Sequence, residues 1–244
     1  MSVEAKPEAL DLRARAIEVL GRIEAAARRA ERDPREVTLV AVSKTHPAAL
    51  VREAEAAGLH DFGENRVKEA EEKIAELKPA PPGVRWHLIG NLQANKARRA
   101  ARLFDLIHSV DSASLIERLE RVCAEEGRGR LDVLLQVDLA GEATKSGADE
   151  TELRALREAL KRCERIRCCG LMILPPFFED AERVRPYFQR LRSLRDELRG
   201  RGVFGEGVGE LSMGMSHDYE VAVEEGATLV RVGTAIFGGR GAAR

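Results

Sequence analysis

The sequence predicts an α/β fold, a single-domain (β/α)8 TIM barrel with an extra N-terminal helix. Three observations predict it. Eight short β-branched or apolar runs alternate with charged amphipathic stretches, the pattern of parallel strands joined by right-handed helical crossovers. The 244 residues match the roughly 250 typical of one such barrel. No composition shift or long Gly/Ser/Pro linker divides the chain, so residues 1–244 read as one domain. An open doubly wound sheet satisfies the alternation too; eight repeats in this length favour closure.

The leading helix is marked by Leu10, Ile17, Leu20 and Ile23 near helical spacing, and Asp33-Pro34 stops it. The strand runs follow in order. They are Thr38–Val42, a weak His60–Phe62, Trp86–Ile89, Leu106–Val110, Val133–Asp138, Cys169–Ile173, a weak Glu210–Ser212 and Thr228–Val232. Near-continuous apolar strands suit a sheet covered on both faces. Helical stretches near 47–57, 64–77, 92–101, 112–126, 149–163, 180–199 and 217–226 separate them.

Composition excludes several functions. Forty Lys and Arg against 41 Asp and Glu leave a net charge of −1, so no global basic field exists for nucleic acid or an anionic membrane. No apolar run approaches the roughly 18 residues that span a bilayer, and residues 1–33 lack the apolar core of a secretory signal. Cys123, Cys163, Cys168 and Cys169 form no spaced framework. They read as buried free thiols in a reducing cytoplasm. Neither they nor the five histidines show metal-ligand spacing.

Chemistry in such a barrel sits at the C-terminal ends of the strands. Lys44 follows Val40-Ala41-Val42 directly, so it stands at a rigid strand end beside the mouth. A lysine crowded by apolar surroundings gains a nucleophilic neutral amine; a strand-end lysine paired to a carboxylate is the plainer alternative. After the seventh strand, Gly214 offers close backbone approach to an anion, and Ser216 offers a cap for the next helix. Gly233 and Thr234 after the eighth strand add a bare amide and a hydroxyl, and phosphate sites often use these two loops. Arg231 shares its side-chain direction with Gly233. As a charge in an apolar strand it needs a partner, either a carboxylate such as Glu64 or Asp111 or a ring nitrogen of a ligand. His87 reads as a hydrogen-bonded core or mouth residue, and Lys96, Arg98, Arg99 and Arg102 as a solvated helix face.

Several of these segments recur together. Leu39–Thr45, Phe62-Gly63-Glu64-Asn65, Trp86–Lys96, Thr144-Lys145-Ser146-Gly147, Leu211–Ser216 and Val230–Gly238, in this order, resemble the pyridoxal phosphate homeostasis protein family. That family is a small barrel group related to the N-terminal domain of alanine racemase, and the resemblance covers nearly the whole chain. It implies that pyridoxal 5′-phosphate (PLP) is bound as an aldimine on Lys44. It implies that Ser216, Gly233 and Thr234 hold the phosphate and that Arg231 faces the pyridine nitrogen. Asn65 and Met213 match positions lining the cofactor, and Lys145 matches a second lysine near the mouth.

The function that follows is a PLP-binding protein acting in PLP homeostasis and delivery without robust catalysis. PLP-dependent apoenzymes are its expected recipients, and it is expected to be a cytoplasmic monomer. Fold-type relatives that racemise amino acids add a β-rich domain that completes the site, and these 244 residues leave no room for one. The alternative is a PLP-dependent racemase or decarboxylase using the same residues. A Schiff-base aldolase and a protein-binding barrel also fit the fold, which by itself does not choose among functions.

Overall fold

Near-continuous apolar runs on short strands need cover on both faces, and the chain supplies it by closing the sheet inside a ring of helices. The computed structural model describes residues 11–140 and 147–239. After the helix α1 (Leu12–Arg29) come eight parallel strands: β1 (Thr38–Val42), β2 (Asp61–Glu64), β3 (Arg85–Leu88), β4 (Leu106–Val110), β5 (Leu131–Val137), β6 (Ile166–Ile173), β7 (Glu210–Met215) and β8 (Leu229–Val232). They pair in chain order, and β8 returns to β1 with Val40 opposite Arg231. Outside them lie α2 (Ala48–Ala56), α3 (Val67–Glu76), α4 (Ala97–Leu103), α5 (Ala113–Glu125), α6 (Glu150–Leu160), α7 (Arg185–Gly200), α8 (Tyr219–Glu224) and α9 (Thr234–Phe237). The closed (β/α)8 barrel with its preceding helix is the expected fold, and every expected strand is present within a few residues.

Local chemistry sets the helix starts. The Asp11 carboxylate accepts from Ala14 N–H at 2.9 Å, and Ser112 caps α5 through Leu115 N–H. Asp149 and Glu152 form a reciprocal capping box on α6. Each cap satisfies amides that the first helical turn leaves without partners.

The barrel has two cores. The larger lies between strands and helices and includes Phe62, Leu88, Ile107, Leu135, Leu171 and Leu211. The smaller fills the barrel itself with Val40, Leu134, Met172 and Leu229. Polar residues take other inward positions, with His87, His108, Ser212 and Arg231 all buried.

Two local expectations are corrected. The buried face of α1 is Leu12, Ala16, Val19, Ile23, Ala26 and Ala27, whereas Ile17 is 58% and Leu20 40% exposed; Leu10 lies outside the described residues. Small alanines let α1 approach closely, so its seam is narrower than its bulky residues suggest. Arg22 and Arg29 flank that seam, pairing with Glu220 and Glu224 of α8. The four thiols are unbridged, but only Cys123 and Cys168 are buried; Cys163 and Cys169 are half-buried. Burial pushes the Cys168 thiol up to about 12.

One irregularity shapes the mouth. Along β7 and β8, Ser212 pairs with Leu229 and Met215 with Arg231, so β7 carries one extra residue. Gly214 at φ 90° takes up that residue, and such a bulge re-aims the side chains beside it.

Candidate functional site

The turn that carries Lys44 is fixed from below. β1 ends at Val42, and Ser43 is fully buried with its hydroxyl donating to Glu64 Oε1 at 2.7 Å. Lys73 of α3 donates to the Ser43 carbonyl at 2.7 Å and pairs with Glu64. Beyond Lys44, Thr45 adopts φ 65°, a costly conformation for a β-branched residue. Its amide donates to the Glu69 carboxylate, which holds it there. The half-buried Lys44 side chain lines a cavity of ≈ 550 Å³ at the C-terminal mouth of the barrel.

The loops after β7 and β8 meet on the other side of that cavity. The Gly233 amide donates to Ser216 Oγ at 3.1 Å. A Cβ on Gly233 would sit 3.2 Å from the Val42 carbonyl, so glycine brings the β8 end against the β1 end beside Lys44. Ser216 is not a helix cap as expected, because α8 begins at Tyr219 after Asp218. Asp218 folds back to accept from Met215 N–H at 2.6 Å, and burial raises its carboxyl above the usual range. Gly214 is not among the residues lining the cavity. A Cβ there would lie 2.5 Å from Ala222 Cβ, so its role is to let α8 pack against β7.

Arg231 forms the floor. Its guanidinium is buried, donating to Ser212 Oγ at 2.5 Å and to the Ile173 carbonyl at 2.9 Å. Neither Glu64 nor Asp111 pairs with it. Among the described residues no carboxylate lies within ion-pair distance of Arg231, and burial pulls its pKa down to about 10. It stays charged at neutral pH.

Of the seven expected site residues, Lys44, Asn65, Ser216, Arg231, Gly233 and Thr234 line this one cavity. Met213 does not. It is fully buried in the core between barrel and helices, because strand alternation points Ser212 inward and Met213 outward. Met215, re-aimed by the bulge, takes the place at the mouth. Lys145 lies outside the described residues.

Further lining residues are His46, Ile89, Asn91, Gln136, Leu174, Phe177 and His217. Gln136 carried a signal, a polar residue at inward parity in an apolar strand. Leu174 and Phe177 follow the end of β6, in a loop that bears no glycine and no basic residue to mark an anion site. His46 stacks on Phe237 with ring centroids 5.1 Å apart, and burial together with nearby Lys73 lowers its pKa.

The sequence profile of the family described as "Alanine racemase, N-terminal domain" matches residues 19–241. The chain is 48% identical over 222 residues to the pyridoxal phosphate homeostasis protein of Pseudomonas aeruginosa, covering 91% of this chain and 93% of that one. The chain belongs to this family. A homologue of the same description from Aquifex aeolicus is 42% identical over 91% of the chain and 95% of its own length. PipY of Synechococcus elongatus PCC7942, solved with PLP bound, superposes with a TM-score of 0.80 at 42% identity, covering 93% of this chain and all of that one. Alanine racemase from Bartonella henselae, at 17% identity and a TM-score of 0.66 over 62% of its length, shares the fold.

Arg98 and Arg102 pair with Glu125 and Glu126, and Arg99 with Glu71, as a solvated helix face does. Among the described residues, no cluster of His, Cys, Asp and Glu could hold a metal ion. None of the described helices is long and apolar enough to cross a membrane.

Proposed function

We propose that the mouth cavity binds PLP and that the protein holds and delivers it without robust catalysis. The observation that carries this reading is Arg231, a buried guanidinium with no carboxylate partner among the described residues, facing the same cavity as Lys44 and the Ser216–Gly233 contact. The donor set fits the group. PLP supplies an aldehyde that a primary amine attacks. Lys44 offers that amine from a fixed turn. Ser216 and Thr234 offer hydroxyls, and Gly233, lacking a side chain, leaves space for a phosphate beside them. Arginine has only donors, so Arg231 presents N–H groups to the lone pair of a ring nitrogen, and its charge opposes protonation there.

The relatives named as homeostasis proteins and the PLP-bound PipY support the same reading. The lining supports a holding role over turnover. Proton removal and return on an amino acid needs a base poised on each reacting face. Among the described residues no carboxylate and no tyrosine lines the cavity. His46 is held by its stack on Phe237, and the His217 ring is engaged with the Glu179 carbonyl at 3.0 Å. PLP-dependent apoenzymes as recipients, a cytoplasmic site of action, a monomeric state and one cofactor-binding unit over residues 1–244 belong to this same proposal.

The test is trapping. Borohydride added to the PLP-loaded protein should fix a phosphopyridoxyl group on the peptide containing Lys44, and label on another lysine would refute the assignment. The racemase or decarboxylase alternative predicts steady α-proton exchange of amino acids in heavy water well above that with free PLP; the holding role predicts none.

A further inference from the structure

A row of polar side chains runs through the barrel, and contact with a ligand explains only its last member. Asp61 Oδ1 lies 2.8 Å from His87 Nε2. His87 Nδ1 lies 2.9 Å from His108 Nε2. His108 Nδ1 lies 2.8 Å from Ser212 Oγ, which accepts from Arg231 Nη1 at 2.5 Å. These residues belong to β2, β3, β4, β7 and β8. Only Arg231 lines the mouth; His87 lines a second cavity, ≈ 410 Å³, at the opposite end of the barrel. Asp61 also accepts from Arg85 at 2.6 Å.

The contacts allow one proton arrangement when both rings are neutral. The Asp61 carboxylate only accepts, so His87 carries its proton on Nε2 and accepts at Nδ1. His108 then carries its proton on Nε2 and accepts at Nδ1. Ser212 donates its hydroxyl proton to His108 and receives the Arg231 N–H on oxygen. Every dipole in the row points the same way, from the guanidinium to the carboxylate. Burial and the nearby Arg231 charge push the His108 pKa well below its usual value, which agrees with a neutral His108 ring.

We infer that Asp61, His87, His108 and Ser212 form one oriented hydrogen-bond chain that positions the Arg231 guanidinium. The desolvation of a buried charge must be offset. A carboxylate in direct contact would do so, but it would also cancel the field of Arg231 in the mouth. Aligned, mutually polarising bonds steady the arginine through Ser212, the Asp218 carboxylate acts on it from beyond ion-pair distance, and its remaining N–H groups are left for the cavity. The four residues are positioning residues. What Arg231 meets in the mouth rests on the function proposed above; the chain does not, and its test uses the protein without PLP.

The experiment is nitrogen-15 NMR of histidine- and arginine-labelled protein. His87 and His108 should both be neutral and protonated at Nε2. In Asp61→Asn, whose amide either donates or accepts, both rings should become mixtures of tautomers, and the Arg231 side-chain signals should shift although the substitution lies at the other end of the row. An Nδ1-protonated His108 or a His87 imidazolium in the wild type would overturn the inference. So would His108 and Arg231 signals unmoved by Asp61→Asn. If that variant fails to fold, the wild-type tautomers alone decide.

Discussion

Lys73 Nζ donates to the Ser43 carbonyl at 2.7 Å, so a lysine buried between α3 and the barrel holds the backbone that presents Lys44. The same ammonium pairs with Glu64, and both side chains are almost fully buried, at 5% and 0% exposure. Removing one partner of such a pair leaves an uncompensated buried charge. Lys73→Met should therefore cost about 3–5 kcal/mol in urea unfolding. Lys73→Met with Glu64→Gln should recover a large part of that. Equal losses in the single and double variants would show that the pair is not what the turn depends on.

Gly214 sits at φ 90° with Ala222 Cβ 2.5 Å from where a side chain would start. Gly214→Ala meets both a backbone penalty and a clash against α8. It should destabilise by at least about 1 kcal/mol, seen as a fall in Tm of roughly 2–4 °C or more. Gly58, at φ 93° with nothing within 4 Å, is the control. Gly58→Ala meets the backbone penalty alone and should lose less.

Acid should weaken the opposite end of the barrel through Asp132. Burial pushes its carboxyl upward, and the Arg167 and Arg130 guanidiniums override that, holding it at about 2 against an ordinary 3.8. The folded state thus resists a proton that the unfolded chain takes up more readily. The stability this supplies is present above pH 4 and lost as pH falls from about 4 toward 2. With allowance for solvent screening of a partly open pair it amounts to about 1 kcal/mol. Asp132→Asn should lose that at neutral pH and show a shallower decline between pH 4 and 2 in denaturant titrations.

The barrel was legible because its signals are periodic. Thr38–Val42 and Leu106–Val110 agree with the observed strands residue for residue, and alternation carried Lys44 and Arg231 to the mouth. What failed was geometry that repeats do not encode. The extra residue in β7 exchanges Met213 for Met215 at the cavity, and a one-residue bulge leaves no mark except a glycine that also reads as a turn. Ser216 reads from sequence as a helix start, but it bonds to Gly233 across two loops. The buried face of α1 differs from the one its bulky residues mark because it packs on alanines, which carry little hydrophobic signal. The His87–His108 contact joins side chains 21 residues apart, and no local pattern pairs them.

Arg231→Leu should retain the barrel and lose affinity for PLP. In the proposed site the substitution would remove a charge-assisted hydrogen bond to the ring nitrogen, a class of contact that contributes about 1.5–3 kcal/mol, or roughly ten- to a hundredfold in Kd. Fluorescence or absorbance titration reads this directly. Unchanged affinity would mean that the guanidinium serves the barrel interior alone.

Covalent binding of PLP by Lys44 in the mouth cavity is decided by an absorption titration of the wild type and Lys44→Ala with PLP. A new visible band should appear in the wild type, saturate at one equivalent per chain and be largely absent from Lys44→Ala. A wild-type spectrum equal to the sum of protein and free PLP, or the same band in both proteins, would contradict it.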